Sequence, residues 1–362
     1  MFISQIRTIR VNLLIIIAFL IVLTFSSNAC AQENMEGGFD NVPNLKLKGF
    51  ADVGYVVTDA SGESNNSFVL GSVDLMIISK ITEKVSFFME SLIEIENDET
   101  GFDPERIVLK YSYAEYLNIK AGRIHSPIGY YNLAYHHGHW LETVVLRPEI
   151  YKYEDEHGGN GGFLPDHLVG LDLSGKVELS AIGLEYNIGV SNGRYSDRYH
   201  VTNISDQNNS KAFNAMIAAS PDFIKGFKLG ASIYLDTIPK SLTRKFELSE
   251  IIVGGQAVYD NNNLLVLFEI FDVMHNLWNS IGLNSQASYN IGDFTPYYRF
   301  DMIDYANNDP YYVPVDIDIN KHSLGIRWDM FSWNALKLEY SLTDRDSFST
   351  ENSLIINWSL MF

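Results

Sequence analysis

The tightest constraint on this chain is a period of two. Over Glu351 to Phe362, Leu354, Ile356, Trp358, Leu360 and Phe362 alternate with Ser353, Ile355, Asn357, Ser359 and Met361. One face is large and apolar, the other mostly polar or small, as on a strand whose two sides meet different surroundings. The pattern recurs upstream. Leu336, Leu338, Tyr340 and Leu342 oppose Lys337, Glu339, Ser341 and Thr343; Leu324, Ile326 and Trp328 oppose Ser323, Gly325, Arg327 and Asp329. Phe227, Leu229, Ala231, Ile233 and Leu235 oppose Lys228, Ser232, Tyr234 and Asp236. An apolar face on so many consecutive segments needs an apolar cover, and lipid supplies one more readily than a soluble core of that size. A strand crosses a bilayer in about 9–11 residues, and a sheet can do so only as a closed barrel without edges. No apolar run of about 18 residues follows Phe25, so no helical span competes with this reading.

The connections point the same way. Short ones are predicted near 81–84, 113–116, 175–178, 220–225, 260–263, 291–294 and 331–334. Longer, more polar ones fall at 59–67, 97–105, 129–161, 192–210, 237–248, 275–279, 305–318 and 344–350. Together they join sixteen strands of an all-β, transmembrane antiparallel β-barrel with short periplasmic turns and long extracellular loops. Sixteen strands leave a lumen wide enough for water. Some segments are ambiguous: Met76–Ile78 and Leu264–Phe268 are apolar on both faces. Arg123 falls on the lipid side of its strand, which predicts a bulge near Gly122 or a position at headgroup level, because a charge at mid-bilayer costs about 2–4 kcal/mol.

At the N-terminus, Arg7 and Arg10 precede an apolar run from Val11 to Phe25, and Ala29-Cys30-Ala31 offers a small-residue cleavage site. Residues 1–31 read as a signal peptide, 32–43 as a polar periplasmic lead-in and 44–362 as the barrel. Acylation of Cys30 is the rival reading, with Ser27 standing where a branched apolar residue is usual. Cys30 is the only cysteine, so disulfides are not available. The net charge of −19 argues against a nucleic-acid partner, which needs a basic surface.

Ala121-Gly122-Arg123-Ile124-His125-Ser126-Pro127-Ile128-Gly129 resembles the Ala-Gly-Arg-x-x-x-Pro-Phe-Gly segment of Gram-negative outer-membrane porins of the phosphate-selective (O/P type) superfamily. Leu109–Tyr113, on the strand before it, fits the same pattern, Ile182–Arg194 resembles a later strand of that group, and the last strand resembles the closing strand of outer-membrane barrels. The resemblance implies a sixteen-stranded homotrimeric pore in the outer membrane, among lipid and lipopolysaccharide. It also implies that Phe362 is the assembly signal read by the barrel-assembly machinery. It does not imply phosphate, since no Arg/Lys ladder stands out.

The loop 129–161 is too aromatic to be disordered and is predicted to fold into the lumen. There His136, His137, His139, Glu142, Arg147, Glu149, Glu154 and Asp155 are candidates to face solutes at the constriction. Candidate lumen charges are Glu90, Glu94, Lys120, Glu185, Lys228, Arg299, Asp301, Arg327, Asp329, Lys337 and Glu339. Imidazole beside carboxylate is a donor set for zinc, but adjacent histidines on a loop fix no ligand geometry, so a metal stays open. No cofactor motif appears, and neither Gly-x-Ser-x-Gly nor HExxH is present. The reading is a non-enzymatic pore for passive diffusion of small hydrophilic solutes, weakly cation-preferring because the long loops are net acidic. A substrate-specific or divalent-metal uptake channel is the alternative, with a barrel enzyme or adhesin behind it.

Overall fold

The computed structural model describes residues 44–96, 99–135, 139–152, 162–198, 204–312, 317–346 and 348–362, with the backbone alone for 94–96, 99 and 100. The signal peptide and lead-in expected at 1–43 lie outside these residues, as do His136, His137, Glu154 and Asp155 and the side chain of Glu94. Among the described residues sixteen strands form one closed antiparallel barrel, each paired with its sequence neighbours. They are β1 (Asn44–Ala60), β2 (Glu63–Lys80), β3 (Val85–Glu96), β4 (Glu99–Ala114), β5 (Leu117–His125), β6 (His167–Leu179), β7 (Ile182–Asn192) and β8 (Lys211–Pro221). The second half comprises β9 (Phe227–Ile238), β10 (Leu248–Asn261), β11 (Leu264–His275), β12 (Trp278–Tyr289), β13 (Phe294–Asp304), β14 (Ile319–Phe331), β15 (Asn334–Arg345) and β16 (Glu351–Met361).

Closure is made by β1 against β16, in register from Phe50 opposite Met361 to Ala60 opposite Glu351. Two backbone bonds between Gly49 and Phe362, of 2.8 and 2.9 Å, extend it to the last residue. A methyl group on Gly49 would lie 2.5 Å from the Phe362 ring, so the glycine makes room for the terminal aromatic. The alternation resolves as the pleat requires. Leu324, Trp328, Leu338, Tyr340, Leu354, Ile356 and Trp358 are exposed on the outer surface, while Lys337, Glu339, Ser341, Ser353 and Asn357 are buried inside.

Three connections differ from expectation. The first long loop is a tight turn: Ser61 and Gly62, both at positive φ (58° and 79°), close β1 onto β2. That backbone matches a hairpin turn of the primed type. β3 and β4 pair out to Glu96 opposite Glu99. Polar strand extensions have the composition of loops, because Glu63 to Leu70 of β2 are exposed on both faces. The third difference lies between β6 and β7, which pair through Leu179 and Ile182, past the turn expected at 175–178. The turn is at 180–181, with Ser180 at φ 49°. Gly175 is a strand residue pressed on its neighbour, where a Cβ would stand 2.1 Å from the Tyr116 carbonyl oxygen.

Arg123 is accommodated by partners rather than by a register shift at Gly122. β5 stays in register with β4 and β6 through Val108, Gly122 and Gly170. The extra residue is in β4, between the positions opposite Glu90 and Leu92. Beside that bulge Asp103 lies 3.2 Å and Glu105 3.9 Å from the Arg123 guanidinium. Glu105 Oε2 also lies 2.7 Å from His167 Nε2. The charge is matched where sequence spacing left it facing lipid.

Phe362 contributes two closing bonds and an exposed aromatic. Deleting it should lower the amount of heat-modifiable barrel recovered from outer membranes by several-fold. Recovery equal to the full-length chain would show that closure needs only residues up to Met361.

Candidate functional site

Between β5 and β6 the chain leaves the wall. Ser126 N–H donates to the Asp166 carbonyl (2.9 Å), and Asn132 Nδ2 donates to both the Ser126 and Asp166 carbonyls (3.1 and 2.9 Å), which closes the neck of the loop. Gly129 turns the chain at φ 84°, where a Cβ would overlap the Tyr151 hydroxyl. A short helix, α1 (Tyr130–Ala134), follows. Its first free N–H groups, on Tyr130 and Tyr131, donate to Glu269 Oε1 of β11 at 2.5 and 3.2 Å. The Tyr151 hydroxyl reaches the same oxygen at 3.1 Å. A carboxylate supplies what an uncapped helix start lacks.

The loop has its own apolar core. The rings of Tyr131 and Tyr151 stack at 5.6 Å, and Tyr151 meets Phe271 edge-on at 6.1 Å. Ile150, Phe163 and Leu164 join them against Ile252, Leu267, Phe271, Val273 and Ile303 of the strands. This explains β11: Leu267 is turned to the loop and Phe268 to lipid, so both faces are apolar. Gly282 on β12 leaves the seat, since a Cβ there would be 2.4 Å from Phe163 and 2.7 Å from Ile150.

Charged side chains of the opposite wall grip the loop's backbone. Arg299 donates to the Leu146 carbonyl and, at 3.2 Å, to that of Arg147, while pairing with Asp301 at 2.7 Å. Arg327 donates to the Trp140 and Glu142 carbonyls (2.6 and 2.8 Å) and holds Asp329 at 2.6 Å. Lys337 reaches the His139 and Val144 carbonyls, the latter at 2.8 Å. Glu339 accepts from the Val145 N–H (2.9 Å) and the Tyr297 hydroxyl (2.8 Å). These inward charges are therefore occupied with the loop.

The described constriction candidates divide. His139 is half-buried and contacts the Val145 carbonyl at 2.7 Å. Glu142, Arg147 and Glu149, expected to face solutes, are buried instead, because their charges are met within the protein. Glu142 accepts from Tyr131 (3.0 Å), and Arg147 donates to the Tyr151 carbonyl (3.0 Å). Glu149 lies between Lys152 (3.0 Å) and Lys321 (2.9 Å). Burial alone would raise the Glu149 carboxyl, but the two lysines outweigh it and hold it well below the usual carboxylate range. The stabilisation it adds is present above the unfolded value of about 4.3 and is lost only as pH falls through the lower folded value.

The wall from β3 to β9 is differently arranged. Glu90 pairs with Arg106, Lys120 with Asp172 at 3.0 Å, and Glu185 is shared by Lys176 (2.8 Å) and Lys228 (2.9 Å). These cations are partly exposed, unlike Arg299 and Lys337. Sequence reasoning missed Glu269, Lys321 and Gly282, which seat the loop, and Tyr311 and Tyr312, which enter it from residues 305–318. The available signals were the two-faced apolar strand and the aromatic pair within a polar loop.

No known protein family matches this sequence, and no curated protein does. Solved structures match it in fold. OmpF of Salmonella typhi, in complex with daunomycin, has a TM-score of 0.63 over 91% of this chain and 100% of its own, at 14% identity. The outer membrane channel DcaP of Acinetobacter baumannii has a TM-score of 0.62 over 92% and 100%, at 10% identity. A trimer form of OmpT, an outer membrane protein of Vibrio cholerae, has a TM-score of 0.55 over 88% and 99%, at 10% identity. The chain has the porin fold. With an apolar outer surface on that fold, it is a protein of the outer membrane.

Glu149→Gln removes the carboxylate that two buried lysines share, a change of the kind that costs about 3–5 kcal/mol. The variant should melt at a lower temperature than the parent, and Glu149→Gln with Lys321→Met should recover part of the loss. A single variant as stable as the parent would show that this cluster does not hold the loop.

Proposed function

We propose that the barrel is a passive channel for small hydrophilic solutes, narrowed by the loop between β5 and β6. The observation that carries this reading is the loop's attachment: backbone carbonyls from His139 to Arg147 are held by Arg299, Arg327 and Lys337 of the inner wall. A sixteen-stranded barrel is too wide for wall side chains to fill, so a loop fixed to one side narrows the opening without sealing it. The loop is held by many bonds and a packed core, as a permanent constriction would be.

Phosphate is not the proposed solute. Phosphate selection needs basic side chains free to meet it, and those of β13 to β15 are committed to the loop. The likeness at residues 121–132 supports the pore and not a substrate. We read a weak cation preference from the net charge of −19 and the acidic loops, held small by the partly exposed lysines of β5, β6 and β9. Among the described residues no group of three or more His, Cys, Asp or Glu side chains is placed to hold a metal ion. The reading is non-enzymatic: both nitrogens of the buried His275 are taken by carboxylates, which leaves it no position to act as a base. A homotrimer is the proposed assembly, in line with the trimer form of the Vibrio protein.

Replacing residues 135–157 with a short Gly-Ser link should raise single-channel conductance and admit larger sugars. Unchanged conductance in a folded replacement would rule the loop out as the constriction. In a salt gradient the reversal potential of the parent should show a modest cation preference, and strong anion preference would overturn the assignment.

A further inference from the structure

A second loop also enters the mouth. Asp309, Tyr311 and Tyr312 of the 305–318 connection are buried, although Asn307 and Asn308 before them are exposed. Asp309 Oδ2 is 2.7 Å from Nδ1 of His275, the last residue of β11. The other ring nitrogen, Nε2, is 2.8 Å from Glu250 Oε1 on β10. The same Glu250 oxygen accepts from Arg194 Nη1 at 2.8 Å. Arg194 continues to the return limb of the constriction loop, donating to the Gly162 carbonyl and to that of Phe163 at 3.2 Å. The Tyr312 hydroxyl donates to the Phe163 carbonyl at 3.0 Å. His275 thus joins the 305–318 loop to a network that holds the other loop as well.

A neutral imidazole carries one N–H and donates once. Carboxylates on both nitrogens call for both protons, hence a charged ring. The neighbours favour that state. Arg194 and a charged His275 face Glu250, Asp309 and Asp236, the last receiving the Arg194 backbone N–H at 2.6 Å. Loss of the histidine proton would leave Arg194 as the cation against three acids at this centre. Arg244 is next to it, over the Tyr311 ring at 5.9 Å, and donates to the Pro310 carbonyl at 3.4 Å. Asp197 also acts on Tyr311 and Arg244. Burial pushes the hydroxyls of Tyr311 and Tyr312 up, so they stay protonated and do not compete for this proton.

We propose that His275 is a proton-dependent latch: protonated, it pins the limb from Tyr305 to Tyr312 into the barrel mouth, and deprotonated, it lets that limb out. The step moves one proton, from the imidazolium to solvent, and breaks one of its two carboxylate bonds. The sign follows from linkage. The stabilisation is complete at a pH low enough that His275 is protonated with the loop released as well. It shrinks as pH rises above that and is gone once the latched ring has lost its own proton. Opening should therefore increase by up to about tenfold per pH unit within that window.

Chymotrypsin reads the loop directly, because its target bond after Tyr311 is buried while the latch holds. Folded full-length barrel in detergent should resist cleavage there at pH 6 and be cut increasingly towards pH 9. Rates are corrected with an unstructured peptide substrate, and folding is checked by heat-modifiability. His275→Gln should be cut at all these pH values, with the pH dependence gone. Asp309→Asn, a loop substitution that leaves the strands intact, should be cut at neutral pH and serves if the first variant does not fold. A parent uncut from pH 6 to 9, or folded variants with the parent's pH profile, would overturn the latch. Cleavage is measured without current, so a barrel that conducts nothing would refute the pore and still test the loop. A conducting barrel whose loop never opens would refute the latch alone.

Discussion

Backbone hydrogen bonding has no substitute inside a bilayer, and everything else in this molecule follows from satisfying it. Each unpaired N–H or C=O in hydrocarbon costs several kcal/mol, so sixteen strands close into a ring, β1 against β16. Closure fixes the faces. A register slip of one residue would exchange Leu336, Leu338 and Tyr340 for Lys337, Glu339 and Ser341 on the lipid side. The terminal bonds between Gly49 and Phe362 matter for the same reason: they complete the last rung of a sheet that tolerates no open edge.

The ring creates a second requirement. Its interior is too wide for inward side chains to meet across it, and many of them are charged. The loop between β5 and β6 answers both problems, bringing an aromatic core to the apolar inner patch of β10 to β13 and carbonyl oxygens to the cations of β13 to β15. A peptide carbonyl is a good acceptor for a buried cation because it brings no charge of its own to desolvate. Where carboxylates are used instead, as at Glu149 with Lys152 and Lys321, each charge meets an opposite one. At the loop's seat the inward charges are thus bonded to the loop or to one another.

How far this was legible depended on the length scale. Strand number, face assignment and the closing strand followed from a period of two, which local sequence carries. The aromatics of Tyr131, Tyr135 and Tyr151 signalled that their loop must pack. Turn positions were less legible: Gly175 reads as a turn residue, yet it is a strand glycine needed for close approach to Tyr116. The polar ends of β2 read as loop because composition does not separate a solvated hairpin from an irregular segment. Partners were not legible at all. Arg299 and Arg327 stood out as inward charges, but nothing local reveals that they meet carbonyls more than 150 residues away in sequence. Glu269 and His275 were passed over because a lone polar residue in an apolar strand has no periodic signature.

That division bears on selectivity. A total charge of −19 describes the whole molecule, whereas a permeating ion meets only charges left unspent within about a Debye length of 8 Å. Inside the barrel the partly exposed cations lie on the wall from β4 to β9. Lys110 stands directly opposite Lys120 across β4 and β5, and of the two only Lys120 has an acid within ion-pair distance among the described residues, Asp172. Lys176 and Lys228 share one carboxylate, Glu185. In the proposed channel the acidic loops and these lysines act in series and with opposite sign. An acidic mouth raises the local concentration of cations, and the lysines beyond it disfavour their onward passage. Two opposed fields in one path largely cancel in net selectivity while both polarise the solute. For the proposed channel a small preference in a strongly acidic protein is therefore the expected result.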